Sequence, residues 1–172
     1  MTGITAYGAY IPLRRLQRKA ISDANSWVAP GLKGAGERAM ANWDEDAVTL
    51  AVEAARDCLP AADALKDRAH VDAAYFASTT MPFADRQNAG ILAAALNLPQ
   101  TAVTADIAGS QRAGLTALLS ALDAVASGRA KAPLVAAGEK RKARAASAEE
   151  MRYGDAGAAL AVGKDKVIAK FV

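Results

Sequence analysis

A turn near the middle of the chain holds the residue with the clearest capacity for covalent chemistry. Residues 106–114 pass from an extended pattern to an apolar helical pattern through small residues, with Ser110 at the junction. A hydroxyl there lies beside free backbone N–H groups and the positive end of the helix macrodipole, both of which stabilise an anion. This arrangement favours a nucleophile or a bound oxyanion at this turn, with Ser110 as the candidate residue. The alternative is that Ser110 only caps the helix.

Few other side chains could assist such a nucleophile. A serine needs an adjacent base, and the sequence places none beside Ser110. His70, the single histidine, precedes an apolar strand pattern and is interpreted as a surface residue. Cys58 lies on the apolar stripe of a predicted helix, where it is expected to pack as a small hydrophobic residue. Asp155 follows Gly154, and we expect its carboxylate to bind backbone N–H groups rather than to act in catalysis.

Charge and motifs exclude several classes of function. The net charge of +3 is small and spread among 18 acidic residues, which does not indicate a nucleic-acid partner. The densest basic run, residues 140–144, has no aromatic residues within it. It is interpreted as a solvated loop, with contact to the phosphates of an acidic ligand as the alternative. The sequence contains no metal-ligand spacing, phosphate loop or dinucleotide fingerprint.

These candidate residues are expected on an alternating strand and helix framework. Strands are predicted at 3–11, 71–78, 101–107, 133–137 and 156–162, and helices at 16–24, 48–59, 89–98 and 111–127. Pro60 is expected to end the second helix, and residues 166–172 to form a last strand after a tight hairpin at 163–165. The predicted fold class is α/β, a βαβαβαββ unit with a mixed five-stranded sheet and helices on both faces. The helix at 111–127 is apolar nearly all round, so we expect it to be buried inside a larger assembly.

Composition indicates how many domains the chain forms and where in the cell it is expected. A chain of 172 residues with 52% hydrophobic residues can form one domain without disulfides, and its single cysteine cannot make one internally. No start pattern resembles a signal peptide and no apolar run reaches bilayer length, so we expect a cytoplasmic protein without a membrane partner. The apolar end of the chain suggests that the natural protein continues or that another subunit completes its sheet.

Three segments of the sequence resemble a known group of enzymes. Residues 106–114 (DIAGSQRAG) resemble the nucleophile segment of hydroxymethylglutaryl-CoA synthases and their bacterial and archaeal relatives, which carry cysteine at the position of Ser110. Residues 42–49 (NWDEDAVT) resemble the early helix of that family, and residues 153–159 (YGDAGAA) the Gly-Asp-Gly-Ala-Gly-Ala signature of ketoacyl synthase III. The sequence is thus similar to the amino-terminal half of a thiolase-superfamily protein.

The resemblance implies an acyl-CoA enzyme. In such enzymes a thiolate takes an acyl group from CoA and passes it to a carbon nucleophile, with the CoA thioester as substrate and no separate cofactor. It implies a catalytic role for Ser110 and substrate contacts for Gly109 and Thr79. It also implies nucleotide contacts for Trp27, Lys33 and Arg38 on the approach to the CoA tunnel, although packing in a loop is the alternative for Trp27. The implied partners are acyl-CoA, a second thiolase-fold subunit as homodimer or heteromer, and the small OB-fold, zinc-ribbon subunit with which related bacterial proteins act.

The sequence departs from the family pattern at three points. A serine hydroxyl is a weaker nucleophile than a thiolate. Residues 78–80 (Ser-Thr-Thr) occupy the turn where hydroxymethylglutaryl-CoA synthases place a glutamate acid/base, so a carboxylate for proton transfer is expected to be missing. The family's catalytic histidine comes from the second half of the fold, so this chain alone is expected to be inactive.

Four hypotheses therefore stand. The chain is the first half of an acyl-transferring enzyme, or it belongs to a non-catalytic subunit that assembles with an active paralogue. In the third, serine replaces cysteine to trap a substrate. In the fourth, the chain is a binding module unrelated to acyl groups, which calorimetric titration with CoA would distinguish.

Overall fold

A five-stranded mixed sheet with helices on both faces forms the centre of the computed structural model, which describes residues 1–61 and 68–170. In chain order the elements are β1 (Gly3–Tyr10), β2 (Arg14–Gln17), α1 (Arg18–Ala24), β3 (Glu37–Met40), α2 (Ala47–Ala61), β4 (Ala73–Ala77), α3 (Asn88–Ala95), β5 (Val103–Ile107), α4 (Ala113–Ala126), β6 (Pro133–Glu139), α5 (Ala148–Arg152) and β7 (Ala156–Gly163). The predicted α/β fold and its mixed five-stranded sheet are confirmed.

The sheet has the strand order β1-β7-β6-β4-β5. Strand β4 runs parallel to both β5 and β6, whereas β7 runs antiparallel to β6 and β1. In the two parallel pairings Ala77 lies opposite Ile107 on one side and opposite Ala137 on the other. Strands β4 and β5 therefore end at the same level, and β6 continues two residues further to Glu139, so the turns after β4 and β5 lie beside the end of β6 at one edge of the sheet.

Helix α2 lies directly on one face of the sheet. It begins with reciprocal bonds in which the Thr49 N–H donates to Asp46 Oδ1 and the Asp46 N–H donates to Thr49 Oγ1, each at 2.8 Å. Glycines on three strands allow its close approach: a Cβ atom at Gly138 would lie 1.9 Å from the Ala47 carbonyl oxygen, and one at Gly157 2.1 Å from that of Leu50. Such distances leave no room for a side chain.

Helix α4 packs on the opposite face through small residues. Ala113, Ala117 and Ala121 are buried against the sheet, whereas Leu115 and Leu119 on the outer side are 40% and 39% exposed. In this chain the helix is thus buried on one side only. Among the described residues, no helix is long and apolar enough to cross a membrane.

The region before α2 differs from the predicted helix and loop. Residues 14–17 are extended because they pair with β3 in a separate two-stranded antiparallel sheet, so the helix predicted at 16–24 begins only at Arg18. Helix α2 also continues through Pro60 to Ala61, because a proline in the last turn removes a single backbone bond. The short helix α5 was not predicted; Ser147 caps it by accepting a hydrogen bond from the Glu150 N–H.

The predicted hairpin at 163–165 is wrong. Strand β7 already pairs with β1 on one side and β6 on the other, so it has no free edge for a strand at 166–172. The described part of that segment instead lies along the outer edge of β1. There the Ile4 N–H donates to the Ala169 carbonyl at 2.9 Å and the Ile168 N–H donates to the Ile4 carbonyl at 2.8 Å. Residues 171–172 lie outside the described residues.

Cys58 is fully buried in the core formed by α2 and the sheet, as the sequence predicted. Burial raises the pKa of the Cys58 thiol to about 11. In the unfolded chain a thiol loses its proton near pH 8.5. Between these values the unfolded state binds fewer protons than the folded state, so stability falls as pH rises. We expect a loss of about 2 kcal/mol between about pH 8.5 and pH 11.

Urea denaturation of the protein and of the Cys58→Ala variant over this pH range checks the prediction. The variant should show a smaller alkaline loss. Tyr10, whose pKa is also raised by its hydrogen bond to Glu45, remains in both proteins and serves as a common background. Equal pH dependence in the two proteins would contradict the assignment to Cys58.

Candidate active site

A pocket of about 440 Å³ lies where the parallel strands end. The residues lining it are Thr79, Thr80, Gly109, Ser110, Gln111, Arg141, Lys142 and Tyr153. We call it the Ser110 pocket. It brings together three of the residues predicted from the sequence, Ser110, Gly109 and Thr79, because the turns after β4 and β5 are adjacent in the sheet.

Ser110 lies in the turn before α4 and is not the first residue of that helix. Gly109 has a φ of +78°, a left-handed conformation that favours glycine. The Ser110 hydroxyl accepts a hydrogen bond from the Arg112 N–H at 3.1 Å, and its carbonyl accepts one from Ala113 at 3.0 Å. The helix predicted from Gln111 thus begins at Ala113. Ser110 shapes this turn locally, but its side chain is exposed to the pocket.

The Ser110 pocket contains hydrogen-bond donors that nothing in the described residues engages. The backbone N–H groups of Ser110 and Gln111 have no acceptor there, and neither does the Ser110 hydroxyl proton. Unpaired amide donors beside a nucleophile are the groups that stabilise the oxyanion of an acyl-transfer intermediate.

Sequence reasoning missed a carboxylate behind the Thr79–Thr80 turn. Glu139, the last residue of β6, accepts hydrogen bonds from the Thr79 N–H at 2.7 Å, the Thr79 hydroxyl at 2.8 Å and the Thr80 hydroxyl at 3.2 Å. The Arg141 Nε atom lies 3.6 Å from the same carboxylate. The expectation that residues 78–80 lack a proton-transfer carboxylate stays a prediction, since Glu139 belongs to another strand and is not one of the residues that line the pocket. In the parallel register Thr79 and Glu139 lie two residues beyond the paired residues Ala77 and Ala137, and no pattern in the sequence marks that pairing.

The basic run lines two pockets. Arg141 and Lys142 line the Ser110 pocket, and the guanidinium carbon of Arg141 lies 5.2 Å from the centroid of the Tyr153 ring. Arg144 lines a neighbouring pocket of about 460 Å³, the Trp27 pocket. Lys140 points elsewhere and donates to the Asn42 carbonyl at 2.8 Å. The run is partly solvated, as interpreted, yet it also places three cations where an acidic ligand could reach them.

Known proteins with similar sequences share one description. The chain is 33% identical to a hydroxymethylglutaryl-CoA synthase of Methanocaldococcus jannaschii over 177 residues, and 32% identical to one of Pyrococcus horikoshii over 162 residues. These alignments cover 99% and 94% of the chain but 50% and 45% of the relatives. The chain thus spans about half the length of the curated relatives it matches. No protein-family model matches it.

Solved structures agree with that match. The priming β-ketosynthase of a polyketide biosynthetic pathway superimposes with a TM-score of 0.83 at 25% identity, over 97% of this chain and 51% of that one. A cysteine-to-serine variant of Xanthomonas campestris OleA, solved with bound lauric acid and lauroyl-CoA, gives a TM-score of 0.79 at 20% identity over 97% and 57%.

The chain belongs to the thiolase superfamily. It corresponds to an amino-terminal half of that fold. The serine of this thiolase-superfamily chain thus stands in the turn where the resemblance places a cysteine nucleophile.

The predicted nucleotide contacts of this thiolase-superfamily chain do not form one cluster. Trp27 is 85% exposed, not packed, and lines the Trp27 pocket with Arg144. Lys33 lines a third pocket of about 360 Å³. Arg38 donates to the carbonyl oxygen of Tyr153 at 3.1 Å and so contacts a residue of the Ser110 pocket.

The remaining candidate residues have structural positions. His70 is exposed in a 3-10 turn at Arg68–His70, as predicted. Asp155 is buried, and its Oδ2 atom accepts a hydrogen bond from the Ala41 N–H at 2.8 Å. As expected, the Asp155 carboxylate binds a backbone N–H group. This group belongs to the segment after β3 and not to the turn that contains Asp155. Within residues 1–61 and 68–170 there is no group of three or more His, Cys, Asp or Glu side chains that could hold a metal ion.

Proposed function

We propose that the protein containing this chain binds an acyl-CoA and that Ser110 receives the acyl group from the thioester. One observation carries the proposal: the Ser110 hydroxyl, unengaged backbone N–H groups and a carboxylate-supported threonine turn meet at a single pocket at the ends of parallel strands. The matched relatives are named hydroxymethylglutaryl-CoA synthases, and a protein of similar fold was solved with lauroyl-CoA.

The loop after β6 contributes cations to two pockets. Its first part lines the Ser110 pocket through Arg141 and Lys142, and its continuation lines the Trp27 pocket through Arg144. We infer from this shared loop that one CoA molecule places its thioester beside Ser110 and its nucleotide beside Trp27. An exposed indole offers a stacking surface for adenine, and the guanidinium and ammonium groups offer partners for phosphates.

The proposed chemistry follows from the groups in the Ser110 pocket. The Ser110 oxygen attacks the thioester carbonyl carbon, and the N–H groups of Ser110 and Gln111 bind the resulting oxyanion. The carbon–sulfur bond breaks, which leaves an ester on Ser110 and releases CoA. In the whole protein this acyl group would pass to a carbon nucleophile, a condensation for which the rest of the fold supplies further groups.

The non-catalytic subunit remains a second candidate because apolar surface is exposed on α4 and β5. The outer side chains Leu115 and Leu119 are about two-fifths exposed, and Val103 on the edge strand β5 is 61% exposed. We propose that a second thiolase-fold unit, in a homodimer or heteromer, covers this surface. A non-catalytic subunit is expected to assemble with its partner without being acylated at Ser110.

Calorimetric titration with CoA tests ligand binding. We expect Trp27→Ala to weaken CoA binding by about tenfold, because stacking of a base on an aromatic ring contributes about 1–3 kcal/mol. Trp43→Ala is the matched control: Trp43 is 87% exposed but does not line the Trp27 pocket. Equal affinities in the two variants would remove Trp27 from the site, and no heat of binding in the unmodified protein would overturn the CoA proposal itself.

A further inference from the structure

The Ser110 pocket lacks a base on its own surface. Its lining supplies two cations, Arg141 and Lys142, and the phenol of Tyr153, but no carboxylate or imidazole. A serine hydroxyl must nevertheless lose its proton to attack a carbonyl. One carboxylate is connected to the pocket through a lining residue. Glu139 does not line the pocket itself, but it accepts a hydrogen bond from the Thr79 hydroxyl.

The direction of the hydrogen bond at Thr79 determines whether its hydroxyl can donate or accept a further hydrogen bond. An ionised carboxylate only accepts, so the single hydroxyl proton of Thr79 points to Glu139 at 2.8 Å. Thr79 is one of the residues that line the pocket. With its one proton directed to Glu139, its hydroxyl oxygen has only lone pairs left for other partners. It is therefore an acceptor for a proton arriving from the pocket side, while its own proton already lies on the path to the carboxylate.

Thr80 cannot play the same part. Its hydroxyl lies 3.2 Å from Glu139 Oε2, 3.3 Å from the Ser78 hydroxyl and 3.1 Å from the Lys140 N–H, which donates to it. A hydroxyl has one donor and two acceptor sites, so these three partners saturate it. Among the described residues, the Thr79 hydroxyl has Glu139 as its single partner, which leaves it free toward the pocket.

We propose that Glu139 is a positioning residue that makes Thr79 the proton acceptor for Ser110. This inference rests on the proposed function. As the Ser110 oxygen bonds to the thioester carbon, its proton passes to the Thr79 oxygen, directly or through one water, and the Thr79 proton passes to Glu139. When the carbon–sulfur bond breaks, the sulfur leaves with the electron pair and receives the proton back from Glu139 through Thr79. The products are a serine ester and a CoA thiol.

The rate of acylation by acetyl-CoA, followed by intact mass in the protein containing this chain, tests the relay. We expect Glu139→Gln to slow acylation by about 100-fold, in the range that general-base catalysis contributes, with CoA affinity unchanged. Arg141 is the charged group in contact with Glu139, with Lys142 and Tyr153 also lining the pocket, and all three remain in place.

Variants at Thr79 separate relay from support. Thr79→Val should slow acylation about as much as Glu139→Gln, whereas Thr79→Ser should stay within about threefold of the unmodified rate. The double variant with Thr79→Val and Glu139→Gln should be no slower than either single variant, because the two groups act as a unit. In a Ser110→Cys background, Glu139→Gln should change the rate by less than about threefold, because a thiolate needs no base.

Two results would overturn the relay. One is a Glu139→Gln variant that acylates at the unmodified rate. The other is an equal loss in the serine and cysteine backgrounds, which indicates a merely structural carboxylate. An unmodified protein that neither acylates nor binds CoA instead removes the proposed function, and the relay with it. Acylation that is indifferent to Glu139 removes the relay alone.

Discussion

Ser110→Ala is expected to abolish the acyl adduct that acetyl-CoA leaves on the protein, and Ser110→Cys to form that adduct at least as fast as the unmodified protein. Alanine removes the attacking oxygen. Cysteine is partly ionised near neutral pH beside backbone N–H donors, so it does not need the factor of about 10² or more that a serine must obtain from a base. Intact mass spectrometry after timed exposure measures both changes, and peptide mapping locates the adduct.

Ser120→Ala is the matched control for this experiment. Ser120 lies in α4, outside the residues that line the Ser110 pocket, and its replacement should leave the adduct unchanged. If the chain belongs instead to a non-catalytic subunit, Ser110→Ala will change neither adduct formation nor the activity of the assembled complex. An adduct that persists in Ser110→Ala would remove the serine from the reaction.

Gly138→Ala is expected to lower the free energy of unfolding by about 3 kcal/mol or more, because overpacking against an immovable backbone exceeds the usual cost of about 1–3 kcal/mol. The new Cβ atom would lie 1.9 Å from the Ala47 carbonyl oxygen. Helix α2 would have to move away from β6, and the core between them would open. Urea denaturation followed by far-ultraviolet circular dichroism measures the change.

Gly90→Ala provides the opposite expectation. Gly90 lies within α3, and an added Cβ would have the Gln87 side-chain oxygen at 3.6 Å as its nearest neighbour, an ordinary contact. Alanine should raise stability by about 0.5–1 kcal/mol there. A Gly138→Ala variant as stable as the unmodified protein would mean that α2 does not approach β6 as closely as described.

The long elements of the fold were predictable because their periodicity reports burial directly. Strands β4 to β7 and helices α2 to α4 follow apolar patterns of the expected period, and their boundaries differ from prediction by a few residues. Strand β2 and the segment at 166–170 were not predictable in this way. Each takes its conformation from a distant partner, β3 in one case and Ile4 in the other, so local pattern carries no signal of it.

The residues of the candidate site were likewise predictable only where they follow local sequence patterns. The grouping of Ser110, Gly109 and Thr79 could be anticipated from turns that follow adjacent parallel strands. Glu139 could not, because its relation to Thr79 depends on which strand lies next to β4 in the sheet. Trp27 carried no pattern that separated exposure from packing, and only the position of the Arg144 loop revealed which pocket it lines.

The carboxyl ends of β4, β5 and β6 each contribute one reactive group, so these groups come from three separate segments of the chain. The threonine comes from one, the serine from the next and the carboxylate from the third, and the hydroxyl residues stand just beyond the ladder rather than within it. Replacing either hydroxyl residue leaves the strands and their layers untouched. A scaffold of this kind can exchange one reactive group for another by single substitutions, so divergence in chemistry within it does not require divergence in architecture.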